Sequence, residues 1–193
     1  MSESKPPERV VDEAALQKNY EKCGEYLKKM EIKDLEANEK DNSYTITLKF
    51  TFPDGYEIKL RTLFRVTDRF MMSKCLLIFY EDIKHTRNVD LKLYTLLLQA
   101  NFDLFDVTYS IDEKQNVYVE MDITPSANFE AFEDELKGLF YGIEFFFNKI
   151  MAEVFKEIKH EDTYGRYISW KIQLSLVSPF LRSEISIFLN KYY

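Results

Sequence analysis

The longest regular pattern of apolar and polar positions covers residues 128–159. This stretch contains no proline, and its apolar residues recur at steps of three and four, which places them on one side of a helix. They are Phe129, Phe132, Leu136, Leu139, Phe140, Ile143, Phe146, Ile150, Val154 and Ile158. The pattern predicts a long helix with one buried side, so the fold depends on what covers that side.

Two other stretches have helical periodicity. In residues 11–30, apolar residues fall at helical steps while lysines and glutamates occupy the opposite side, which is typical of an amphipathic helix. Residues 89–101 are rich in leucine and predict a shorter helix. The polar residues 31–42 are expected to prolong the first helix irregularly and then to form a loop.

A period of two predicts an antiparallel hairpin in the first half of the chain. Residues 44–52 and 56–64 each alternate apolar and polar side chains. The sequence Pro53-Asp54-Gly55 between them is a turn sequence, because proline presets φ and glycine accepts the left-handed conformation. The apolar run of residues 75–80 follows the hairpin and predicts a central strand.

A second hairpin is predicted before the long helix. Residues 104–111 and 117–123 alternate apolar and polar side chains, and the polar residues 112–116 form the turn between them. The sequence Thr124-Pro125-Ser126 ends this hairpin and leads into the long helix. Its strands would lie in the same sheet as the first hairpin.

The last part of the chain has a pattern of its own. Residues 160–166 resemble a linker, residues 168–176 alternate like a strand, and Ser178-Pro179 starts a short amphipathic helix. The predicted organisation is therefore one α+β domain, residues 1–159, followed by an α/β C-terminal extension, residues 160–193. The domain would consist of an antiparallel β-sheet packed against a long helix and flanking helices.

Composition and charge narrow the function. Hydrophobic residues make up 46% of the 193 residues, and the formal net charge is -7. The sequence has no block of Lys and Arg for phosphate groups, so nucleic acid is not expected as a partner. The alternative is a local basic patch that only the fold brings together. No apolar run reaches the ~18 residues of a membrane span, and the first residues lack an apolar signal core. We expect a cytoplasmic protein with no membrane span.

The search for catalytic and metal-binding residues predicts no active site. His85 and His160 lie in polar segments, and Cys23 and Cys75 lack a metal-ligand spacing. Asp112, Glu113, Glu120 and Asp122 lie on the turn and the exposed side of a predicted hairpin. Two carboxylates act as acid and base only when their surroundings give them different pKa values, and an exposed hairpin does not supply the necessary burial. We expect no catalytic residues, no cofactor and no metal.

Aromatic residues are abundant, at 16% of the chain, and they supply the candidate protein-binding residues. Because Phe145, Phe146 and Phe147 are consecutive, one helix cannot bury all three rings against a single surface. Either the helix lies between two layers of the same chain, or part of this aromatic side binds a partner. The extension adds Trp170, Phe180 and Phe188 to the candidates.

Two glycines occur in the long helix. Gly138 and Gly142 lie four residues apart on one side, where each costs about 1 kcal/mol relative to alanine. Their expected use is to let another segment approach the helix closely. The alternative is that the helix merely tolerates them.

The order of the elements resembles a known fold. The segment LYTLLLQANFDLFDVTYSIDEKQNVYVEMDITPSANFEAFEDELKGLF, residues 93–140, contains a leucine-rich helix ending in Asn, a strand with an aspartate-rich turn, and a strand ending in Pro before a helix. In this order, and over residues 11–159, the chain resembles type III secretion chaperones and their YbjN-like relatives. The resemblance implies an antiparallel sheet with helices on one side, a tendency to form homodimers, and the binding of protein partners without catalysis.

The sequence thus favours a non-catalytic protein-binding or chaperone-like module that forms a homodimer and binds an unknown protein partner. The alternative from another class is a ligand-sensing or regulatory domain with an apolar pocket between the sheet and the long helix. An enzyme is the third possibility.

Overall fold

A computed structural model describes residues 9–51, 57–82, 89–154 and 173–174. The predicted turn 53–55, both histidines, the boundary near residue 159 and the aromatic residues of the extension lie outside these ranges.

Three α-helices form where helical periodicity predicts them. They are α1, Glu13–Lys29; α2, Val89–Asp103; and α3, Phe129–Phe145. Side-chain caps fix the starts of α1 and α3, because Asp12 accepts a hydrogen bond from the Ala15 amide and Asn128 accepts one from the Ala131 amide. Helices α1 and α3 therefore begin where a polar side chain accepts a hydrogen bond from one of the first backbone amides, which has no partner within the helix.

The strands form one sheet in which all neighbours are antiparallel. They are β1, Leu35–Asn38; β2, Ser43–Thr51; β3, Glu57–Val66; β4, Met71–Ile78; β5, Thr108–Ile111; β6, Val117–Ile123; and β7, Gln173–Leu174. The order across the sheet is β1-β2-β3-β4-β6-β5, and β7 pairs with β2. This architecture confirms the predicted α+β class with an antiparallel sheet.

The two faces of the sheet differ. On the core face the strands contribute buried residues such as Phe64, Cys75 and Val119, and these share one apolar cluster with residues of all three helices. Tyr44 of β2, for example, stacks on Tyr20 of α1 with ring centroids 4.6 Å apart. On the opposite face, here called the open face, mostly polar and charged side chains alternate with the core residues of β2, β3 and β6, whereas β4 contributes Met72 and Leu76 beside Lys74. The helices of the described ranges thus cover one face only, as the resemblance implied.

Three details of the strand prediction are wrong. The central strand predicted at residues 75–80 is β4, which begins four residues earlier and ends at Ile78, because residues 71–74 alternate core and open-face side chains instead of forming an apolar run. Residues 35–38 form β1 rather than a ragged helix end, and all but the first of its residues are exposed, so no alternation marks it. Residues 104–107 are not part of β5, and Phe105 is 95% exposed instead of lying on the core face. A short edge strand and an irregular connection leave no periodic signal because neither buries a regular side.

The long helix continues beyond α3 through a π-helical segment, Phe146–Met151. Its buried residues come in adjacent pairs, Phe146 with Phe147 and Ile150 with Met151. In a π-helix the hydrogen bonds connect residues five apart, so each turn is wider. Because each turn contains more residues than an α-helical turn, the two pairs, which are four residues apart, come to lie on the same buried side of the helix.

Both glycines of α3 lie at close contacts with the segment before β5. A Cβ added to Gly142 would lie 2.8 Å from Val107 Cγ2 and 3.2 Å from Val119 Cγ2. At Gly138 it would lie 2.8 Å from the Asp106 Cβ. The expected close approach is confirmed: these positions need the absence of a side chain.

This packing predicts that Gly142→Ala destabilises the fold. Overpacking against a stiff valine costs about 1–3 kcal/mol, and a gain of about 1 kcal/mol in helix propensity is subtracted from this cost. We expect the free energy of unfolding to fall by up to roughly 2 kcal/mol in urea titrations followed by circular dichroism. Val107→Ala removes the clashing methyl, so the double variant should lose less than the sum of the two single variants. Additive losses would contradict this account of the contact.

Candidate protein-interaction surfaces

Three candidate binding residues predicted from the sequence lie where α3 becomes π-helical. Phe146 and Phe147 are buried and contact each other edge to face, with ring centroids 5.1 Å apart. Phe145 is partly buried and lies 6.1 Å from the ring of Tyr141. Two of the three rings therefore belong to the core, and Phe145 is the one left accessible.

A buried tyrosine ties this segment to the sheet. The Tyr109 hydroxyl donates a hydrogen bond of 2.6 Å to the Gly142 carbonyl, and its ring lies 6.1 Å from that of Phe146. Burial raises the pKa of Tyr109 above its ordinary value, so the hydroxyl stays protonated and remains a donor. The aromatic segment is thereby fixed to β5.

Four of the five most exposed large apolar residues of the described ranges lie on α2 and in the connection after it. These four residues, here called the α2 stripe, are Leu91, Leu98, Phe102 and Phe105, with exposed fractions of 72%, 71%, 84% and 95%. The opposite side of α2 is also apolar, because Leu93 and Leu97 are buried. A helix that is apolar on both sides needs two partners, and the core supplies only one.

The four members of the stripe are uncharged. Leu91, Leu98 and Phe102 lie on one side of α2, and Phe105 follows in the connection after the helix, so Leu98 lies near the middle of the series. The sequence interpretation missed this surface because it noted the leucines of α2 without dividing them between two sides. The available signal was a second apolar series, Leu91, Leu98 and Phe102, beside the buried one.

The position of α2 is set by polar contacts to β5. The Asn101 side chain donates to the Tyr109 carbonyl at 2.9 Å and accepts from the Tyr109 amide at 2.6 Å. The Tyr94 hydroxyl donates to the Gln115 side chain at 2.9 Å. The three members of the stripe on α2 are therefore held on a fixed element, and Phe105 lies in the short connection between that element and β5.

The open face carries a second surface, made of charged residues. Lys49, Lys59, Arg61 and Arg65 of β2 and β3, here called the basic patch, share this face through the strand register. Two shallow concavities of about 370 and 840 Å³ adjoin the patch, and both are lined by Glu36 and Arg61. Neither lies between the sheet and the helices, where the alternative of a ligand-sensing domain would need its pocket.

The acidic hairpin turn has a structural role. Asp112 accepts hydrogen bonds from the Lys114 and Asn116 amides at 2.9 Å and from the Tyr118 hydroxyl at 3.0 Å. Desolvation opposes ionisation, but the bonds from Asn116, Tyr118 and Lys114 outweigh it and lower the pKa of this carboxyl. The carboxylate holds a turn in which Gln115 adopts a positive φ of 66°.

The described residues offer no other chemistry. They contain no group of three or more His, Cys, Asp or Glu side chains placed to hold a metal ion. Within the same ranges, no helix has both the length and the apolar character that a membrane crossing requires. Cys23 and Cys75 are buried free thiols, and burial raises the pKa of each to about 12.

Comparison with known proteins finds distant structural likeness. No known family profile and no curated protein matches the sequence. The crystal structure of the ExsC–ExsE complex has a chain with 14% identity and a TM-score of 0.46, covering 70% of this chain and 95% of that one. The HopA1–SchA chaperone–effector complex has a chain with 15% identity and a TM-score of 0.39, covering 69% and 95%. Both likenesses are too distant to assign a function.

The burial of both cysteines predicts resistance to alkylation. A thiol with a pKa near 12 is almost entirely protonated in mildly alkaline buffer, and the thiolate is the reactive form. Intact-mass spectrometry after iodoacetamide treatment should find the native protein unmodified. The unfolded protein in guanidinium chloride should gain one adduct at each cysteine. Rapid native modification of either cysteine would show that its burial is not maintained in solution.

Proposed function

We propose that this protein is a non-catalytic, chaperone-like protein-binding module that forms a homodimer through the α2 stripe. The observation that carries the proposal is an apolar series on α2 and in the connection after it, with each of its four large side chains at least 71% exposed. Such surfaces mark protein interaction sites. Full burial of one such side chain is worth roughly 1.5–3 kcal/mol.

A second copy of the chain fits this surface best. In an interface with twofold symmetry the same patch faces itself. When two α2 helices cross antiparallel at Leu98, Leu91 of each copy comes opposite the end of the stripe that carries Phe102 and Phe105. Because Leu98 lies between Leu91 and the two phenylalanines, the stripe can face a second copy of itself. Both copies of each member are then buried in one dimer.

The binding of a further protein is proposed for Phe145 and for the aromatic residues of the extension. Phe145 is only partly buried, and Trp170, Phe180 and Phe188 remain predicted contacts in the extension. Phe146 and Phe147 would support such a site from the core rather than touch the partner. Two buried free thiols agree with work in the reducing cytoplasm.

Charge placed in the stripe should separate the copies. For Leu98→Glu we expect light scattering on a sizing column to report about 23.1 kDa, the mass of one chain, whereas the unchanged protein gives twice that mass. Desolvating a carboxylate in an apolar contact is unfavourable. Val10→Glu is the matched control, because Val10 is 90% exposed and lies outside the stripe. A monomeric unchanged protein, or a dimeric Leu98→Glu variant, would refute the proposed contact.

A cross-link tests the geometry of the dimer. The two copies of residue 98 meet at the twofold axis, so Leu98→Cys should form an intermolecular disulfide on mild oxidation, seen as a dimer on non-reducing gels. The native cysteines are buried and should not contribute. Val10→Cys is the control and should stay monomeric on the gel. If another segment of the same chain covers the stripe instead, Leu98→Cys will give no cross-linked dimer.

A further inference from the structure

The basic patch is built by the register of β2 and β3. Lys49 lies directly opposite Lys59, and Thr47 lies opposite Arg61. Arg65 lies on the same face of β3, four residues beyond Arg61. The sequence shows no basic block because these residues alternate with core residues on two strands. The sheet brings them together, in a chain whose net charge is -7.

Carboxylates compensate the positive charge of the patch only in part. Glu57 lies on the same face of β3, two residues before Lys59. Arg61 forms an ion pair of 3.1 Å with Glu36, but both side chains are 70% exposed, where such pairs contribute little. Lys49, Lys59 and Arg65 form no ion pair within the described ranges. Like charges directly opposite on neighbouring strands are destabilising, so the pair of Lys49 and Lys59 weakens the sheet unless an anionic group lies between them.

The half of the open face formed by β4 and β6 has no surplus of positive charge, because Lys74 is paired and the exposed Asp122 adds a negative charge. Lys74 forms an ion pair of 2.6 Å with Glu120 and lies 4.3 Å from the ring centroid of Tyr118. The unsatisfied positive charge is therefore confined to the half of the face formed by β2 and β3. This half also contains the two concavities, which meet at the Arg61–Glu36 pair.

The spacing of the patch suits an extended polypeptide. Residues two apart on a strand lie about 7 Å apart on the same face, which is also the spacing of alternate side chains in an extended peptide. Uncharged Thr45, Thr47 and Leu63 lie between the cations and offer contacts to the peptide between its carboxylates. The acidic rim, with Asp34, Glu36 and Asp41, and the negative net charge oppose a dense polyanion such as nucleic acid.

We propose that the basic patch binds an extended acidic segment of a partner protein, with carboxylates at alternate positions facing Lys49, Lys59, Arg61 and Arg65. The proposal rests on the proposed protein-binding function but not on self-association, because the patch lies on the open face and the α2 stripe on a helix of the covered side. It also gives a role to like-charged neighbours that otherwise only weaken the sheet.

Fluorescence anisotropy with a labelled peptide of alternating glutamate and threonine tests the proposal on the full-length protein. We expect binding that weakens as salt is added. We expect the double variant Lys59→Glu/Arg65→Glu to raise the Kd at least about tenfold. Both side chains are exposed, and Lys59→Glu removes the like-charge pair with Lys49. The melting temperature should therefore not fall, so a loss of binding cannot be attributed to unfolding.

The matched control is Lys18→Glu/Lys28→Glu, which makes the same charge change on exposed positions of α1. It should keep the affinity of the unchanged protein, and so should Leu98→Glu, even if that variant is monomeric. A failure of self-association and a failure of peptide binding are thus distinguishable. No binding by the unchanged protein, an equal loss in the α1 control, or equally tight binding of a thymidine oligonucleotide would each overturn the assignment.

Discussion

The contact of Gly142 with Val107 and Val119 determines how α3 lies on the sheet. Because no side chain separates them, the helix backbone comes close enough for the Tyr109 hydroxyl to reach the Gly142 carbonyl. Tyr109 is in turn bonded through its own backbone to Asn101 of α2. One close approach therefore positions two helices and, through α2, the apolar surface proposed for self-association.

Because the helices cover one face of the sheet, the apolar surface on α2 and the charged surface on the open face lie on opposite sides of the sheet. On the covered side, α2 has an apolar stripe that is left over after the core is complete. On the open face, the alternation along β2 and β3 brings positively charged side chains together, and β4 and β6 do not share this positive charge. The two surfaces lie on different elements, so each can be altered without changing the other.

The sequence was sufficient where a buried side repeats regularly. Residues 117–123 were predicted as a strand and form β6 with those bounds, because every second residue is buried. The prediction failed where burial is irregular: β1 is almost wholly exposed, and the π-helical turn buries adjacent residues instead of a stripe. The basic patch could not be read from the chain, since only the register shows that Lys49 faces Lys59.

The position of β6 between β4 and β5 has a consequence for synthesis of the chain. Strands β1 to β4 can pair as soon as they leave the ribosome, but β4 then remains an unpaired edge with Met71, Cys75 and Leu77 on its apolar face. An exposed edge of this kind invites association between chains. β5 precedes β6 in sequence yet pairs only with β6. The nascent protein therefore stays prone to aggregation until residues 117–123 emerge and close the sheet.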